Sequence, residues 1–304
     1  MQGWRKRMED AHITDISQGN NKHLHIFGVF DGHGGKEVSQ FVKNHFTQEF
    51  LQNKNINDNL EKALKETFFK MDELMRTMEG KNELKELTKK SKLEDDEQEK
   101  KTKNSNSQMA MISKLLGQKN EEEIALGTGC IACVCVIDEK NKKIYFANAG
   151  DSRVVLCKSG TAFPMSTDHK PELDSEKNRI YKAGGWISEG RVKGNLNLCR
   201  GLGDLEYKSN TKLKPEEQMI TADPDIKVEK ITSECEFIIV GCDGIWDCLT
   251  NQEACDYVKQ RIGKKGPLNK ILEEMMDNIC ATDIYNESGV GCDNMTCLII
   301  EFKK

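Results

Sequence analysis

Three aspartates in this sequence stand where an apolar run begins or ends. Asp31 and Asp243 each open an Asp-Gly pair just after such a run, and Asp293 shortly precedes the last one. Strand ends that meet at one edge of a sheet would bring these carboxylates together, and a divalent cation would relieve their repulsion. Oxygen ligands with few histidines favour Mg²⁺ or Mn²⁺ over zinc or copper. Three further acids could join the cluster directly or through water: Glu9, Asp10 and Asp151.

Such a cluster suits hydrolysis at phosphorus. Two metal ions about 3.5–4 Å apart can share a bridging carboxylate and activate a water between them. Arg5 could bind phosphate oxygens through its forked guanidinium. His33, whose ordinary pKa is near neutral, could protonate the leaving oxygen. Simpler alternatives stay open here: a chain-reversing turn at Asp31, an Asx turn at Asp151 and a structural role for His33.

Apolar periodicity predicts the elements that must position these residues. Strands are predicted over residues 23–30, 130–138, 143–149, 153–158, 236–240 and 295–302. Helices are predicted over residues 36–51, 60–78, 174–183, 252–262 and 267–282. This order of strands, two helices, many strands, two helices and a closing strand predicts an α+β domain whose helices cover a mainly antiparallel core.

Residues 80–123 differ in composition from the rest of the chain. Lys, Glu, Asn, Gln and Ser dominate this stretch, which contains the run Glu94-Asp95-Asp96-Glu97 and no aromatic residue. We therefore expect a low-complexity insert, a loop that is mobile or transiently helical. A docking or regulatory segment is the alternative.

Composition narrows the class of protein. The net charge of -5 and the lack of a basic stripe interleaved with aromatic residues argue against a nucleic-acid binder. No apolar run is long enough to span a membrane, and no signal peptide begins the chain. We expect an intracellular protein, cytoplasmic or nuclear, with peripheral membrane association left open. The twelve cysteines lie mostly in apolar runs, which indicates free buried thiols rather than metal ligands.

Eight short motifs follow one another along the chain. They are Gly3-Trp4-Arg5 with Met8-Glu9-Asp10-Ala11-His12, Val29-Phe30-Asp31-Gly32-His33-Gly34-Gly35, Ala149-Gly150-Asp151-Ser152-Arg153, Asp168-His169-Lys170-Pro171, Arg179-Ile180 with Ala183-Gly184-Gly185, Arg200 with Leu202-Gly203-Asp204, Asp243-Gly244-Ile245-Trp246-Asp247, and Asp293-Asn294-Met295-Thr296. In this order they resemble the motifs of the type 2C metal-dependent protein serine/threonine phosphatases. The match runs from Gly3 to the last strand and is interrupted by residues 80–123. One motif would be weak evidence, but eight in this order leave little room for chance.

The resemblance implies a fold and a class of activity. The fold would be a central antiparallel β-sandwich flanked by helix pairs (αββα), in a single catalytic domain over residues 1–304 with a flap at about 168–207 beside the cleft. The activity would be Mg²⁺- or Mn²⁺-dependent hydrolysis of phosphoserine and phosphothreonine in proteins by a metal-activated water, without a covalent phosphoenzyme. Phosphoprotein substrates and a monomeric state are expected.

The resemblance also implies roles for individual metal ligands. Asp31 would bridge two Mg²⁺ or Mn²⁺ ions, with the Gly32 carbonyl contacting one of them. Asp243 and Asp293 would hold the other ion. Asp151, together with Asp243, would correspond to a weaker third site.

Four residues near the N-terminus complete the implied site. Glu9 and Asp10 would act on the ions through bound water. Arg5 would hold the substrate phosphate, and His33 would be the general acid.

Some features depart from the family pattern. A strand usually precedes the Gly-Trp-Arg motif, so we expect the first strand to be missing. Gly127-Thr128-Gly129-Cys130 stands where Gly-Ser/Thr-Thr-Ala is usual, and we expect these small residues to be tolerated. N-terminal truncation supports an alternative, a catalytically weak or inactive pseudophosphatase that serves as an interaction scaffold on the same fold. A two-metal nuclease or phosphodiesterase is disfavoured because the chain lacks a basic surface.

Overall fold

The computed structural model describes residues 1–16, 21–101, 124–264, 267–283 and 289–303, with only the backbone over 96–101. The strands are β1 Ala11–Ile16, β2 Leu24–His33, β3 Gly129–Asp138, β4 Lys143–Ala149, β5 Arg153–Lys158, β6 Thr161–Pro164, β7 Ile187–Ser188, β8 Arg191–Val192, β9 Leu202–Gly203, β10 Asp225–Lys230, β11 Cys235–Gly241 and β12 Cys297–Glu301. The helices are α1 Glu37–Leu51, α2 Leu60–Arg76, α3 Met78–Lys101, α4 Asp174–Lys182, α5 Asp243–Trp246, α6 Asn251–Arg261 and α7 Leu268–Ile279.

Two antiparallel sheets form the centre of the molecule. The first has the order β1-β2-β3-β4-β10, with β9 paired to one end of β3, and the second has the order β12-β11-β5-β6. Side chains of β2, β3 and β4 interdigitate with those of β5 and β11 between the sheets, as Val29, Cys133, Phe146, Leu156 and Val240 do. All ten residues of β3 are buried, because this strand has the other sheet on one face and helices on the other.

Helices cover the outer face of each sheet. Helices α1 and α2 pack on the first sheet through a cluster that includes Phe41, Phe46 and Phe68. Helices α6 and α7 pack on the second sheet through Ala254, Val258 and other residues. The arrangement is the αββα fold that the family resemblance implies. The predicted helices and strands agree closely with observed ones, but strands β6 to β10 were not predicted. None of the helices among the described residues is long and apolar enough to cross a bilayer.

The prediction of a loop over residues 80–101 is wrong. This stretch belongs to α3, which contacts α1 and α2. Leu84 is only 2% exposed and packs into the helix-side core, and Glu83 bonds to His45 at 2.6 Å. Lysine, glutamate and leucine are good helix formers, so a short apolar contact is enough to order a helix that looks fully solvated in sequence. Residues 102–123, the rest of the predicted insert, lie outside the described residues.

The acidic run in α3 reaches the N-terminal segment of the chain. Asp95 pairs with Arg7 at 2.6 Å, and Glu94 pairs with Lys36 at the start of α1. The last described side chains of α3 are therefore held by two ion pairs. Both pairs are largely solvent-accessible, so each contributes little to stability by itself.

Candidate active site

A cleft of about 620 Å³ opens at one end of the sandwich, where strand ends of both sheets meet. It brings together eight of the nine residues that the sequence predicts for the site, and the ninth, Asp10, is buried beside Asp31. The lining acids are Glu9, Asp31, Asp151, Asp243 and Asp293, the lining cations are Arg5, Lys6, Arg7 and Arg191, and His33 and Gly32 lie between them.

Asp31 lies within a strand rather than in a turn. The pairing of β2 with β3 continues through Asp31 opposite Ile131 to His33 opposite Gly129. The chain turns only afterwards, at Gly34 and Gly35, whose φ angles of 72° and 141° favour glycine. The alternative of a chain-reversing turn at Asp31 is thus excluded, because strand pairing holds the aspartate within β2.

Gly32 permits a close approach between β2 and the N-terminal segment. A Cβ atom at Gly32 would lie 2.2 Å from the carbonyl oxygen of Glu9. Ser39 of α1 donates a hydrogen bond to the same carbonyl at 2.5 Å. These contacts place Glu9 and Asp10 beside Asp31, as the predicted metal site requires.

The second sheet contributes Asp243, which begins α5 directly after β11. Possible ligand atoms of Asp31, Cys242 and Asp243 lie within 4.8 Å of one another. The Cys242 thiol, however, already accepts a hydrogen bond from the Thr296 amide at 3.1 Å and donates to the Asn294 carbonyl at 3.3 Å. Cys242 therefore links β11 to the segment before β12 through hydrogen bonds. The carboxylates of Asp31 and Asp243 are then the candidate metal ligands of this group.

The environment of Asp10 gives the clearest indication of a cation site in the cluster. It is 6% exposed, and neither carboxylate oxygen has a hydrogen-bond partner among the described residues. Burial raises its pKa above the ordinary value, and the nearby polar groups of Thr296, Cys242 and Asp31 only partly oppose this rise. Because a buried carboxylate without partners is costly, this environment fits a bound cation with its water shell.

Burial and mutual repulsion raise the pKa values of the central acids. The pKa of Asp31 lies well above its ordinary value because of burial first and then the charges of Asp10, Asp243 and Asp151. The pKa of Asp243 rises to about 7, again through burial and then through Asp151 and Asp293. The shared cause is negative charge confined in a poorly hydrated space, which a divalent cation would neutralise. The residues present thus fit Mg²⁺ or Mn²⁺.

A further acid, Asp247, belongs to this region and was missed by sequence reasoning. Burial raises its pKa, with Lys170 opposing the rise and Asp151 adding to it. Asp151 itself is 2% exposed and forms an ion pair with Lys170. The available signal was the four-residue spacing of Asp243 and Asp247, which places both on one side of a helical turn.

Arg5 lies at the rim of the cleft and pairs with a predicted metal ligand. Its guanidinium is 2.5 Å from the Asp293 carboxylate, and its side chain is 61% exposed. The Trp4 amide donates to the Cys292 carbonyl at 2.9 Å, and the Trp4 indole donates to the Ala281 carbonyl at 2.7 Å. The segment bearing Arg5 is therefore fixed to the chain that carries Asp293.

Asn294 is a second residue that sequence reasoning left without a role. Its side-chain oxygen accepts a hydrogen bond from the Glu9 amide at 2.8 Å, and its side-chain nitrogen donates to the carbonyls of Gln2 and Arg7. One amide group thus positions three residues of the N-terminal segment. Its place beside Asp293 in a quoted motif was the only signal in the sequence.

His33 faces a third such residue, Asp204. The His33 Nε2 atom and the Asp204 Oδ2 atom are 2.8 Å apart, and Asp204 is 3% exposed. Burial lowers the pKa of His33, but the Asp204 carboxylate, followed by the charges of Asp151 and Glu9, raises it, and the net pKa lies above its ordinary value. The imidazolium form is thereby favoured, which suits a proton donor.

The predicted flap lies beside this cleft. It contains α4 and the β7–β8 hairpin, and three of its residues line the cleft: Arg191, Asn197 and Leu198. Glu176 of α4 is 1% exposed and binds both Arg179 and Arg200, which anchors the helix to the segment before β9.

Comparisons with known proteins agree with this architecture. A family model described as "Protein phosphatase 2C" matches residues 1–88 and 76–287. "Probable protein phosphatase 2C 3" of Paramecium tetraurelia is 45% identical over 311 residues, which cover 100% of this chain and 91% of that protein. "Probable protein phosphatase 2C 21" of Arabidopsis thaliana is 39% identical over 325 residues, covering 100% of this chain and 85% of that protein.

A solved structure shows the same fold. The crystal structure of a phosphatase from a pathogenic strain of Toxoplasma gondii superposes with a TM-score of 0.70 at 22% identity, over 99% of this chain and 90% of that one. This structural similarity at 22% identity shows the fold alone, whereas the family model and the relative that is 45% identical over the whole chain show the family. The chain belongs to the protein phosphatase 2C family and is a protein serine/threonine phosphatase of that family.

Proposed function

We propose that this enzyme hydrolyses phosphoserine and phosphothreonine in proteins by direct attack of water on phosphorus, with two Mg²⁺ or Mn²⁺ ions and no covalent phosphoenzyme. One observation supports this proposal above all: five acidic residues line the same cleft as three arginines and a lysine. An acidic centre attracts divalent cations, and a cationic rim attracts phosphate.

The acids divide by position into candidate ligand sets. Asp31 would hold both ions, the Gly32 carbonyl would contact one of them, and Asp243 and Asp293 would hold the other. The buried Asp10, together with Glu9, would act through water. Asp151, Asp243 and Asp247 would form the weaker third site. When bound, Mg²⁺ or Mn²⁺ would neutralise these acids and activate the attacking water.

Two side chains would act on the substrate itself. Arg5 is exposed at the rim, and its guanidinium would bind the phosphate oxygens in a bidentate manner. His33 would donate a proton to the serine or threonine oxygen as the P–O bond breaks. Its contact with Asp204 supports this role, because the carboxylate favours the protonated ring.

The test is metal-dependent phosphate release from a phosphothreonine peptide. We expect activity with Mn²⁺ or Mg²⁺ that disappears on chelation and returns when metal is restored. Asp243→Asn should lower kcat by at least about 100-fold, because it removes a charged ligand from the reacting centre. Asp277→Asn, an exposed change in α7, is the matched control.

The alternative of an inactive scaffold makes the opposite prediction. If the wild-type chain releases no phosphate with either metal, or if Asp243→Asn matches the wild type, the proposed hydrolysis is wrong. Binding of the phosphopeptide without turnover would then favour the scaffold.

A further inference from the structure

Asp204 makes a direct contact with His33 although the two residues are 171 positions apart in sequence. The Asp204 side chain is 4% exposed and that of His33 is 24% exposed, so the pair lies at the inner wall of the cleft. The ring nitrogen engaged is Nε2, at 2.8 Å from Oδ2. Nδ1 is then the ring nitrogen that can serve a substrate.

The backbone around Asp204 holds its side chain in a defined place. Asp204 adopts a left-handed conformation, with φ of 49° and ψ of 41°, which a residue other than glycine rarely takes. Its amide donates to the Thr128 carbonyl at 3.0 Å, and its carbonyl accepts from the Tyr207 amide at 3.0 Å. Strained conformations of this kind persist where the surrounding structure enforces them, and they are frequent at functional sites.

The neighbouring strand pair reinforces this position. Strand β9, which ends one residue before Asp204, pairs with Gly129 and Cys130 of β3. The Gly203 amide donates to the buried Asp72 carboxylate of α2 at 2.9 Å, and Asp72 also pairs with Lys208 at 2.6 Å. Asp204 is thus presented by packed elements, not by the outer part of the flap.

Gly129 makes room for the contact. A Cβ atom at this position would lie 2.2 Å from the Asp204 Oδ2 atom and 2.7 Å from the His33 Nε2 atom. Any larger residue would have to displace one of the two groups that form the pair. Gly129, which differs from the residue usual in the family motif, thus lies where the Asp204 carboxylate contacts the His33 imidazole.

We propose that Asp204 is a positioning residue, which holds the His33 ring so that Nδ1 faces the leaving oxygen of the phosphoester. The inference rests on the proposed function and deepens it. In the step itself, a P–O bond forms to the water oxygen while the P–O bond to the threonine oxygen breaks. The Nδ1 proton passes to the threonine oxygen, the proton released by water passes to solvent, and the ring regains a proton from solvent.

The test compares two substrates that differ in their need for this proton. Phosphothreonine peptide has a poor leaving group that requires an acid, whereas p-nitrophenyl phosphate leaves as a stable phenolate. Asp204→Asn, which keeps the size of the side chain and tolerates the left-handed backbone, should lower kcat on the peptide by about 10- to 100-fold. It should change KM, and kcat on p-nitrophenyl phosphate, by no more than about twofold.

A second variant leaves both partners in place. Gly129→Ala inserts a methyl group between Asp204 and His33 and should reproduce the selective loss on the peptide. Gly127→Ala is the matched control, because nothing lies within 4 Å of a Cβ atom at Gly127. The double variant His33→Ala with Asp204→Asn should lose no more peptide activity than His33→Ala alone, since both act through one group.

The outcomes separate this inference from the proposed function. In one outcome the wild type turns over both substrates, and Asp204→Asn and Gly129→Ala each lose activity equally on both. Asp204 would then have a general structural role, which would overturn the positioning role but not the proposed function. Unchanged peptide turnover in both variants would overturn it as well. A wild-type chain inactive on both substrates would overturn the proposed function and this inference with it.

Discussion

At the scale of single residues, the cleft concentrates charge that the folded chain alone does not compensate. Asp10 is buried without a hydrogen-bond partner among the described residues. Burial raises the pKa values of Asp31 and Asp243, and the charges of neighbouring carboxylates raise them further. Such acids lower stability at pH values where they are ionised, because folding moves their charges out of water. We therefore expect the acids that serve function at this site to lower the free energy of unfolding when metal is absent.

Asp10→Asn should separate these two effects. In EDTA at pH 8 the substitution should raise the free energy of unfolding by about 1–2 kcal/mol, because it removes an unpaired buried charge. Urea denaturation measures the change, with Asp277→Asn as the control. A variant equal to or less stable than the wild type would show that the Asp10 charge is compensated in some other way.

At the scale of elements, α3 shows how little apolar contact a charged helix needs. Leu84 is 2% exposed and belongs to the core cluster that also contains residues of α1 and α2, whereas Leu93, further along the same helix, is 64% exposed. Leu87 packs against the same cluster and Ser91 is buried, whereas the charged side chains of α3 form ion pairs at the surface, which contribute little singly. We infer that a few residues near the start of α3 supply most of its packing energy.

Leu84→Ala should therefore lower the free energy of unfolding by about 2–4 kcal/mol through lost burial and the cavity left behind. Leu93→Ala, the same substitution on the exposed part of the helix, should change it by less than about 0.5 kcal/mol. Thermal or urea denaturation compares the two variants. Equal effects would contradict the assignment of Leu84 to the core.

The flap depends on a buried ion-pair network around Glu176. Two arginines hold the pKa of this carboxyl at about 2, below its ordinary value of 4.5, although burial alone would raise it. A depressed pKa means that the network stabilises the fold fully above pH 4.5 and loses this contribution as the pH falls towards 2. The acid limb of the stability profile should therefore depend on Glu176.

Glu176→Gln leaves Arg179 and Arg200 without their shared partner. We expect the free energy of unfolding at pH 7 to fall by about 3–5 kcal/mol. The difference from the wild type should shrink as the pH is lowered from 4.5 towards 2. Urea denaturation across this pH range gives the measurement, and a difference that stays constant with pH would contradict the role of the carboxylate charge.

At the scale of the whole molecule, the site exists only where the two sheets meet. Asp31 comes from the first sheet, Asp243 follows the second, and Asp151 lies in the connection from β4 to β5 between them. Asn294 and Cys242 join the remaining segments through hydrogen bonds. A cation bound among these acids would contact both halves of the sandwich and so favour the folded state.

Metal binding should accordingly raise the thermal stability of the protein without any substrate present. At metal concentrations about 100 times Kd, one site should contribute about 2.7 kcal/mol, which appears as a Tm several degrees higher than in EDTA. Differential scanning fluorimetry measures this shift. Asp243→Asn should lose most of it, and an unchanged shift in that variant would show that the stabilising ion binds elsewhere.

The local sequence determined much of this protein. The positions of most long strands and helices followed from apolar periodicity, because each of these elements buries one face against its neighbour, whereas those of β10 and α3 did not. The acids at strand ends pointed to a metal site because carboxylates are the ligands that hard cations prefer. The order of the eight motifs carried the family assignment, which the family model and the relatives then confirmed.

Only the tertiary structure decided the remaining parts. The partnership of Asp204 with His33 spans 171 residues, and that of Asn294 with Glu9 spans 285, so no local pattern encodes either. Helix α3 looked solvated because its few buried side chains are recognisable only once α1 and α2 are in place. Periodicity records which face of an element is buried, whereas contacts between distant segments depend on how the faces are assembled.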